Sequence, residues 1–175
     1  RDDEVARTRS EESIAAMNRW YEDLRTRETE AQSEDLGHGT LTLPAFLKDA
    51  DPRLTGFRGV IHLHRTVTLP AYAAGQSAAL HLGAMVDSDE TFVNGVKVGQ
   101  SEHQYLSRDY MVPEGVLKAG CNEIDVRLVV EHGAGRVTPG KHMHLDMGDD
   151  SYNLDGTWTY SIGARTDADC PAEDV

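Results

Sequence analysis

The run Thr91-Phe92-Val93-Asn94-Gly95-Val96-Lys97-Val98 decides the fold. Two stretches of β-formers flank an Asn-Gly pair, and the central residues of a two-residue hairpin turn must both accept positive φ, which Asn and Gly do at least cost. A β-hairpin is expected there. Upstream, Val60 to Leu69 sends Ile61, Leu63, Val67 and Leu69 one way and His62, His64, Thr66 and Thr68 the other. That is the period of two shown by a half-buried strand. Pro70 closes it, and Leu80 and Leu82 open another apolar run that Gly83 interrupts. Downstream, Tyr110 and Val112 lead to Pro113, and Gly120-Cys121-Asn122 reads as a turn. Ile124, Val126, Leu128 and Val130 then alternate with Glu123, Asp125, Arg127 and Val129. Met143, Leu145 and Met147 alternate with His142, His144 and Asp146, and Trp158, Tyr160 and Ile162 with Thr157, Thr159 and Ser161. About seven or eight strands, with turn signals roughly every ten to fifteen residues, predict an all-β fold, an antiparallel β-sandwich or jelly roll. No helical pattern separates the strands, which argues against a parallel α/β sheet.

Residues 1–35 differ in kind. They are charge-rich and lack Gly and Pro, and Ile14, Met17, Tyr21 and Leu24 recur at three- and four-residue steps. That spacing predicts an N-terminal amphipathic helix laid against the body of the protein or a neighbouring domain, with Trp20 at the margin of the stripe. The organisation read from the chain is a helical segment over 1–35, a β-sandwich domain over 36–165 and a frayed polar tail over 166–175. The chain opens on Arg with no charged-then-apolar leader, so it is expected to be processed or cut from something longer.

The 175 residues carry 17 Lys and Arg against 30 Asp and Glu, a formal charge of −13. This argues against nucleic acid, whose binding needs a basic face to displace counterions, and against an anionic membrane surface. Thr66 to Val86 is the longest stretch without a charged residue, but Pro70, Gly75, Gln76 and Ser77 break it into two strands and a turn rather than a span. Cys121 and Cys170 have no metal-ligand spacing and read as two independent thiols, a disulfide being the alternative in an oxidising compartment.

No Gly-x-Ser-x-Gly elbow, phosphate-cradling loop or His-Glu-x-x-His is present, and no catalytic residue, cofactor or metal ion is assigned. His62 with His64, and His142 with His144, share strand faces and could hold zinc or copper if the two pairs met. They are read instead as polar residues on solvent faces. Asp87-Ser88-Asp89-Glu90 is read as an Asx-turn before a strand rather than a calcium site. Glu131 to Lys141 is read as a long surface loop, in which His132 and Arg136 are the side chains best able to grip a polar ligand. Tyr105, Arg108 and Tyr152 are further loop candidates for carbohydrate binding, which needs an exposed aromatic face with hydrogen-bonding neighbours.

Leu80-His81-Leu82-Gly83, followed by Asp87 to Gly99 with its Thr91-Phe92-Val93-Asn94-Gly95 core, resembles the jelly-roll domain of sialate O-acetylesterases. In looser form the same motif resembles the sugar-binding domain of family 2 glycoside hydrolases. Gly59 to Leu69 ending in Pro70, Arg108 to Pro113, Leu117 to Ile124 and Leu154 to Tyr160 follow in the order such domains show, so the resemblance spans Phe57 to Ile162. His62 stands where the family often has Trp. In the acetylesterases this domain accompanies a catalytic domain of the SGNH-hydrolase type, which carries the nucleophilic serine and an Asp-x-x-His. This chain has no such serine motif, and no Asp precedes a His at that spacing late in the chain. The resemblance therefore implies an accessory, non-catalytic domain, with that catalytic domain as its partner, carbohydrate as its ligand and a secreted or periplasmic setting. It also implies that the Glu131 to Lys141 loop faces the missing domain or its substrate. A carbohydrate-binding module from a family 2 glycoside hydrolase context is the alternative.

Overall fold

In the computed structural model, residues 2–171 are described. A long helix α1 (Asp2–Glu30) precedes β1 (His38–Leu43), β2 (Ala45–Phe46) and a single helical turn α2 (Leu47–Ala50). Then come β3 (Gly59–Leu69), β4 (Ala78–Val86), β5 (Ser88–Val93), β6 (Val96–Ser101) and β7 (Ser107–Val112). The chain finishes with β8 (Gly120–Val130), β9 (Arg136–Val137), β10 (His144–Met147), β11 (Asp150–Asn153) and β12 (Gly156–Arg165). Every strand pairing is antiparallel. One sheet runs β1-β12-β3-β8-β5-β6; the other runs β11-β10-β4-β9-β2, with β7 also on β4. The fold is the expected all-β sandwich with an N-terminal helix. The strands that alternation did not reveal are β1, β2, β9 and β11, and all but β1 are four residues or shorter. A period of two hardly shows in so few residues.

The core lies between the sheets. Ile61, Leu63, Ile124, Val126, Leu128 and Trp158 of the first sheet meet Leu80, Leu82, Val112, Leu145, Met147 and Val137 of the second, all of them buried. The Trp158 indole donates to the Leu154 carbonyl at 2.9 Å, so its one polar atom is satisfied inside. The Asn-Gly hairpin forms as read, with φ of 49° at Asn94 and 79° at Gly95, and joins β5 to β6. Asn94 does more than turn. Its amide donates to the Val116 carbonyl and to the Asn122 side chain at 2.8 and 2.9 Å, and its Oδ1 accepts from the Glu123 amide. Asn122 is fully buried and ties the second turn to the first. At Gly99 a Cβ would come within 2.2 Å of the Tyr110 ring, so only glycine lets β6 and β7 approach there.

The helix docks with its C-terminal half. Leu24 is 1 % exposed and packs with Val60, Val129 and Ala164, flanked by Trp20 and Tyr21. Residues 2–9 are exposed throughout, and Ile14, expected on the buried stripe, is exposed as well. The tail expectation is corrected for its described part. Cys170 is buried, its amide donates to the Glu131 carbonyl at 3.0 Å, and the Trp20 indole donates to the Ala168 carbonyl at 2.9 Å. Residues 166–171 are thus clamped beside the helix because backbone and indole groups there have partners; residues 172–175 lie outside the described ones. Cys121 and Cys170 are separate free thiols.

Candidate functional site: a charged cleft under the helix

The outer face of the first sheet carries two successive rows that α1 covers. In the first, Ala164, Val60, Val129 and Ser88 are neighbours across β12, β3, β8 and β5. Val60, Val129 and Ala164 are apolar where alternation calls for solvent-facing residues, and that patch is what Leu24 covers. In the second row, two residues along, Ser161, His62, Arg127 and Glu90 line up on the same face. Glu28, one helical turn beyond Leu24, drops onto this row. It pairs with His62 at 2.9 Å and Arg127 at 3.0 Å. Burial works against its ionisation, but the hydrogen bonds from His62 and Arg127 hold its pKa down to about 2.

Beyond that clamp the helix and sheet diverge into a cleft of about 410 Å³, a volume within the range of small-molecule sites. Tyr21 and Arg25 line it from α1, and Glu90, Lys97, Gln100 and Arg127 from the sheet. Glu90 is the hub: Arg25 reaches it at 2.7 Å, Lys97 at 3.0 Å and Arg127 at 3.2 Å. Lys97 also donates to Gln100 Oε1 at 2.5 Å. The Arg25 and Lys97 side chains keep 62 % and 42 % of their surface in solvent, so they retain donors for a ligand. At the inner end the Tyr21 hydroxyl donates to the Glu131 carboxylate and lies 3.1 Å from Ser88 Oγ. Asp87 Oδ2 accepts from the Glu131 amide at 2.6 Å. Burial pushes both carboxyls up, and Asp87 adds repulsion at Glu131. Burial likewise pushes the nearby Cys170 thiol up to about 12. The cleft offers donors and acceptors of both signs beside one aromatic ring, which suits a ligand rich in hydroxyl groups.

The residues singled out from sequence lie elsewhere, and none of the five lines this cleft. Tyr105 is 77 % exposed between β6 and β7, with the His103 ring 5.1 Å away. Arg108 is corrected: it sits in β7, wholly buried, not on a loop. Its guanidinium donates to Asp89 Oδ1 at 2.7 Å and to the carbonyls of His103, Leu106 and Asp87 at 2.6–2.7 Å. Wholly buried, with four of its five N–H groups engaged, it is out of reach of a sugar. His132 is half-exposed, 3.8 Å from the Glu131 carboxylate. Arg136 lies in β9 with its guanidinium 5.0 Å from the centre of the Phe46 ring. Burial raises the Asp87 carboxyl, and the charges of His132 and Arg136 work against that rise. Tyr152 sits in β11, not a loop, half-buried against the core. The Glu131 to Lys141 segment is interrupted by β9, which pairs with β2 and β4. The acidic run is corrected too: Ser88 to Glu90 belong to β5, and Asp89 is buried against Arg108 rather than closing an Asx-turn. The signal for the cleft was the apolar break at Val60 and Val129 together with Glu28 four residues after Leu24.

No family model matches this chain, and no curated protein does. Among solved structures it overlaps in part with a β-glucuronidase from Ruminococcus gnavus, at 16 % identity and a TM-score of 0.46 over 69 % of this chain and 23 % of that one. A GH2 β-galacturonidase from Eisenbergiella tayi gives 14 % identity and 0.44 over 67 % and 19 %. A β-glucuronidase from an uncultured Clostridium sp. gives 17 % and 0.44 over 69 % and 22 %. The chain thus spans about a fifth of the length of those proteins, between 19 and 23 %. Overlaps of this degree carry neither a residue correspondence nor a function across to this chain.

Proposed function

We propose that this chain is a carbohydrate-associated accessory β-sandwich module that binds a glycan in the cleft beneath α1. The carrying observation is the cleft itself: Arg25, Lys97 and Arg127 converge on Glu90 beside the Tyr21 ring, with Arg25 and Lys97 still partly in solvent. Sugar hydroxyls are met by such paired donors and acceptors, and a tyrosine supplies an apolar face with a polar tip. The ordered motifs from Phe57 to Ile162 support a setting beside a catalytic domain of the same parent protein, in a secreted or periplasmic location. A family 2 glycoside hydrolase is the setting preferred over a sialate O-acetylesterase, since the cleft's paired cations and carboxylates suit sugar hydroxyls without calling for an ester.

Titration calorimetry of this chain with galactose, glucuronic acid and 9-O-acetylated sialic acid tests the reading. Saturable binding of glucuronic acid, weakened at least fivefold by Arg25→Ala and by Lys97→Ala at unchanged melting temperature, is the expected result. Binding of the acetylated sialic acid alone would move the module to the acetylesterase setting. No saturable heat with any of the three would overturn glycan binding.

A further inference from the structure

The metal site weighed from sequence required His62 and His64 to meet His142 and His144, and they do not. The first pair lies on β3 of one sheet, paired to Glu28 and Asp125; the second lies at β10 of the other. On the outer face of that second sheet a different group assembles. Asp109, His81 and His144 form one row across β7, β4 and β10, being direct cross-strand partners. Asp146 follows His144 by two residues and so shares its face. One ligand atom from each of His81, His144 and Asp146 lies within 4.8 Å of the others. His81 Nε2 is 3.5 Å from Asp146 Oδ2, and His144 Nδ1 is 2.7 Å from Asp146 Oδ1. Ligands around a tetrahedral zinc stand about 3.3 Å apart, given bonds near 2.0 Å, so little movement is needed.

We infer that His81, His144 and Asp146 form a surface site for a divalent transition metal, best suited to Zn²⁺, with the remaining coordination position open to water or a ligand oxygen. Two imidazoles and one carboxylate are the ligand types of open zinc sites. The supporting contacts carry the case further than three neighbouring side chains would. Asp109 Oδ1 lies 2.7 Å from His81 Nδ1, which places the ring proton there and turns the Nε2 lone pair toward Asp146. The Ser151 hydroxyl donates to Asp146 Oδ1 at 2.7 Å and steadies that carboxylate. The His144 ring is sandwiched between His81 at 4.6 Å and His142 at 5.0 Å, the latter held by Asp155 at 2.8 Å. All three ligand side chains keep 27–37 % of their surface in solvent, so an ion can enter without unfolding. This site is separate from the cleft beneath α1, and its test stands or falls without it.

The experiment uses the full chain, free of any histidine tag and stripped with chelator. It is titrated with ZnCl₂ by calorimetry and with CoCl₂ by visible absorption, which reports coordination geometry. One equivalent of Zn²⁺ per chain, with intense tetrahedral-type Co²⁺ bands, is expected. His81→Ala and His144→Ala each weaken binding at least tenfold, while His62→Ala leaves it unchanged. Asp109→Asn, a positioning change, weakens it about 10- to 100-fold and redistributes the His81 tautomer seen by ¹⁵N NMR. Absence of saturable Zn²⁺ binding, or binding unmoved by both His81→Ala and His144→Ala in variants that melt like the parent, overturns the site. Loss of binding in His62→Ala would place the metal on the other sheet and overturn it equally.

Discussion

Arg108 and Asp89 face each other with no exposed surface on either side chain, in the middle of the β5 and β7 region. Tyr110 joins them, its hydroxyl 2.9 Å from Asp89 Oδ2 and 2.8 Å from Ser101 Oγ. Asp89 accepts from Arg108, Tyr110 and Thr91, and the guanidinium also donates to three carbonyls; such pairing is the condition under which charge is tolerated inside a protein. Arg108→Ala would leave Asp89 uncompensated and three carbonyls without their donor. The expected loss is about 3–5 kcal/mol of unfolding free energy, read from the shift of the urea midpoint at pH 7. A loss under about 1 kcal/mol would mean that the pair behaves as a surface bridge. From sequence, Arg108 looked available because a cation beside a turn is usually solvated. Its burial depends on Asp89, nineteen positions earlier, and no local pattern encodes that pairing.

At the scale of the element, Leu24 and Glu28 anchor the docked half of α1, beside the contacts of Trp20, Tyr21 and Arg25. Removing the Leu24 side chain opens a void between the helix and Val60, Val129 and Ala164, and Leu24→Ala is expected to cost about 2–5 kcal/mol by the same urea assay. Glu28 makes the docking depend on acidity. Its folded pKa of about 2 lies below the ordinary 4.5, so its contribution is complete above pH 4.5 and is lost as pH falls through 2. Glu28→Gln should therefore be less stable than the parent at pH 6 by on the order of 2–3 kcal/mol. That difference should shrink steadily as the pH is lowered through this window. A difference independent of pH between about 6 and about 2.5 would assign the effect to packing instead. The helix was legible in the spacing of Tyr21 and Leu24. Its register on the sheet was not, because Ile14 fits the same stripe yet stays in solvent.

Over the whole molecule, α1, the outer face of the first sheet and residues 166–171 close on one another around Tyr21, Glu131 and Cys170. Cys170 reports on that closure, since it is 2 % exposed and its thiol titrates at about 12, whereas Cys121 is exposed. At pH 8 a thiol reagent should label Cys121 quickly and Cys170 at least about a hundredfold more slowly, through local opening. Leu24→Ala should speed the second phase and leave the first alone; equal rates in the parent would show that helix and tail do not protect the thiol. Local pattern in the chain was enough to read the sandwich and most of its strands. Alternation from Val60 to Leu69 and from Glu123 to Val130, and the positive-φ turn at Asn94-Gly95, are local properties set by side-chain direction and backbone sterics. Where the function-bearing groups meet was decided only by the tertiary structure. Glu28 and Arg25 reach Glu90 and Arg127 from the far end of the chain, and His81 meets His144 across 63 positions. Strand order and sheet pairing bring such residues together, and those depend on which apolar faces bury one another rather than on any pattern within a single segment.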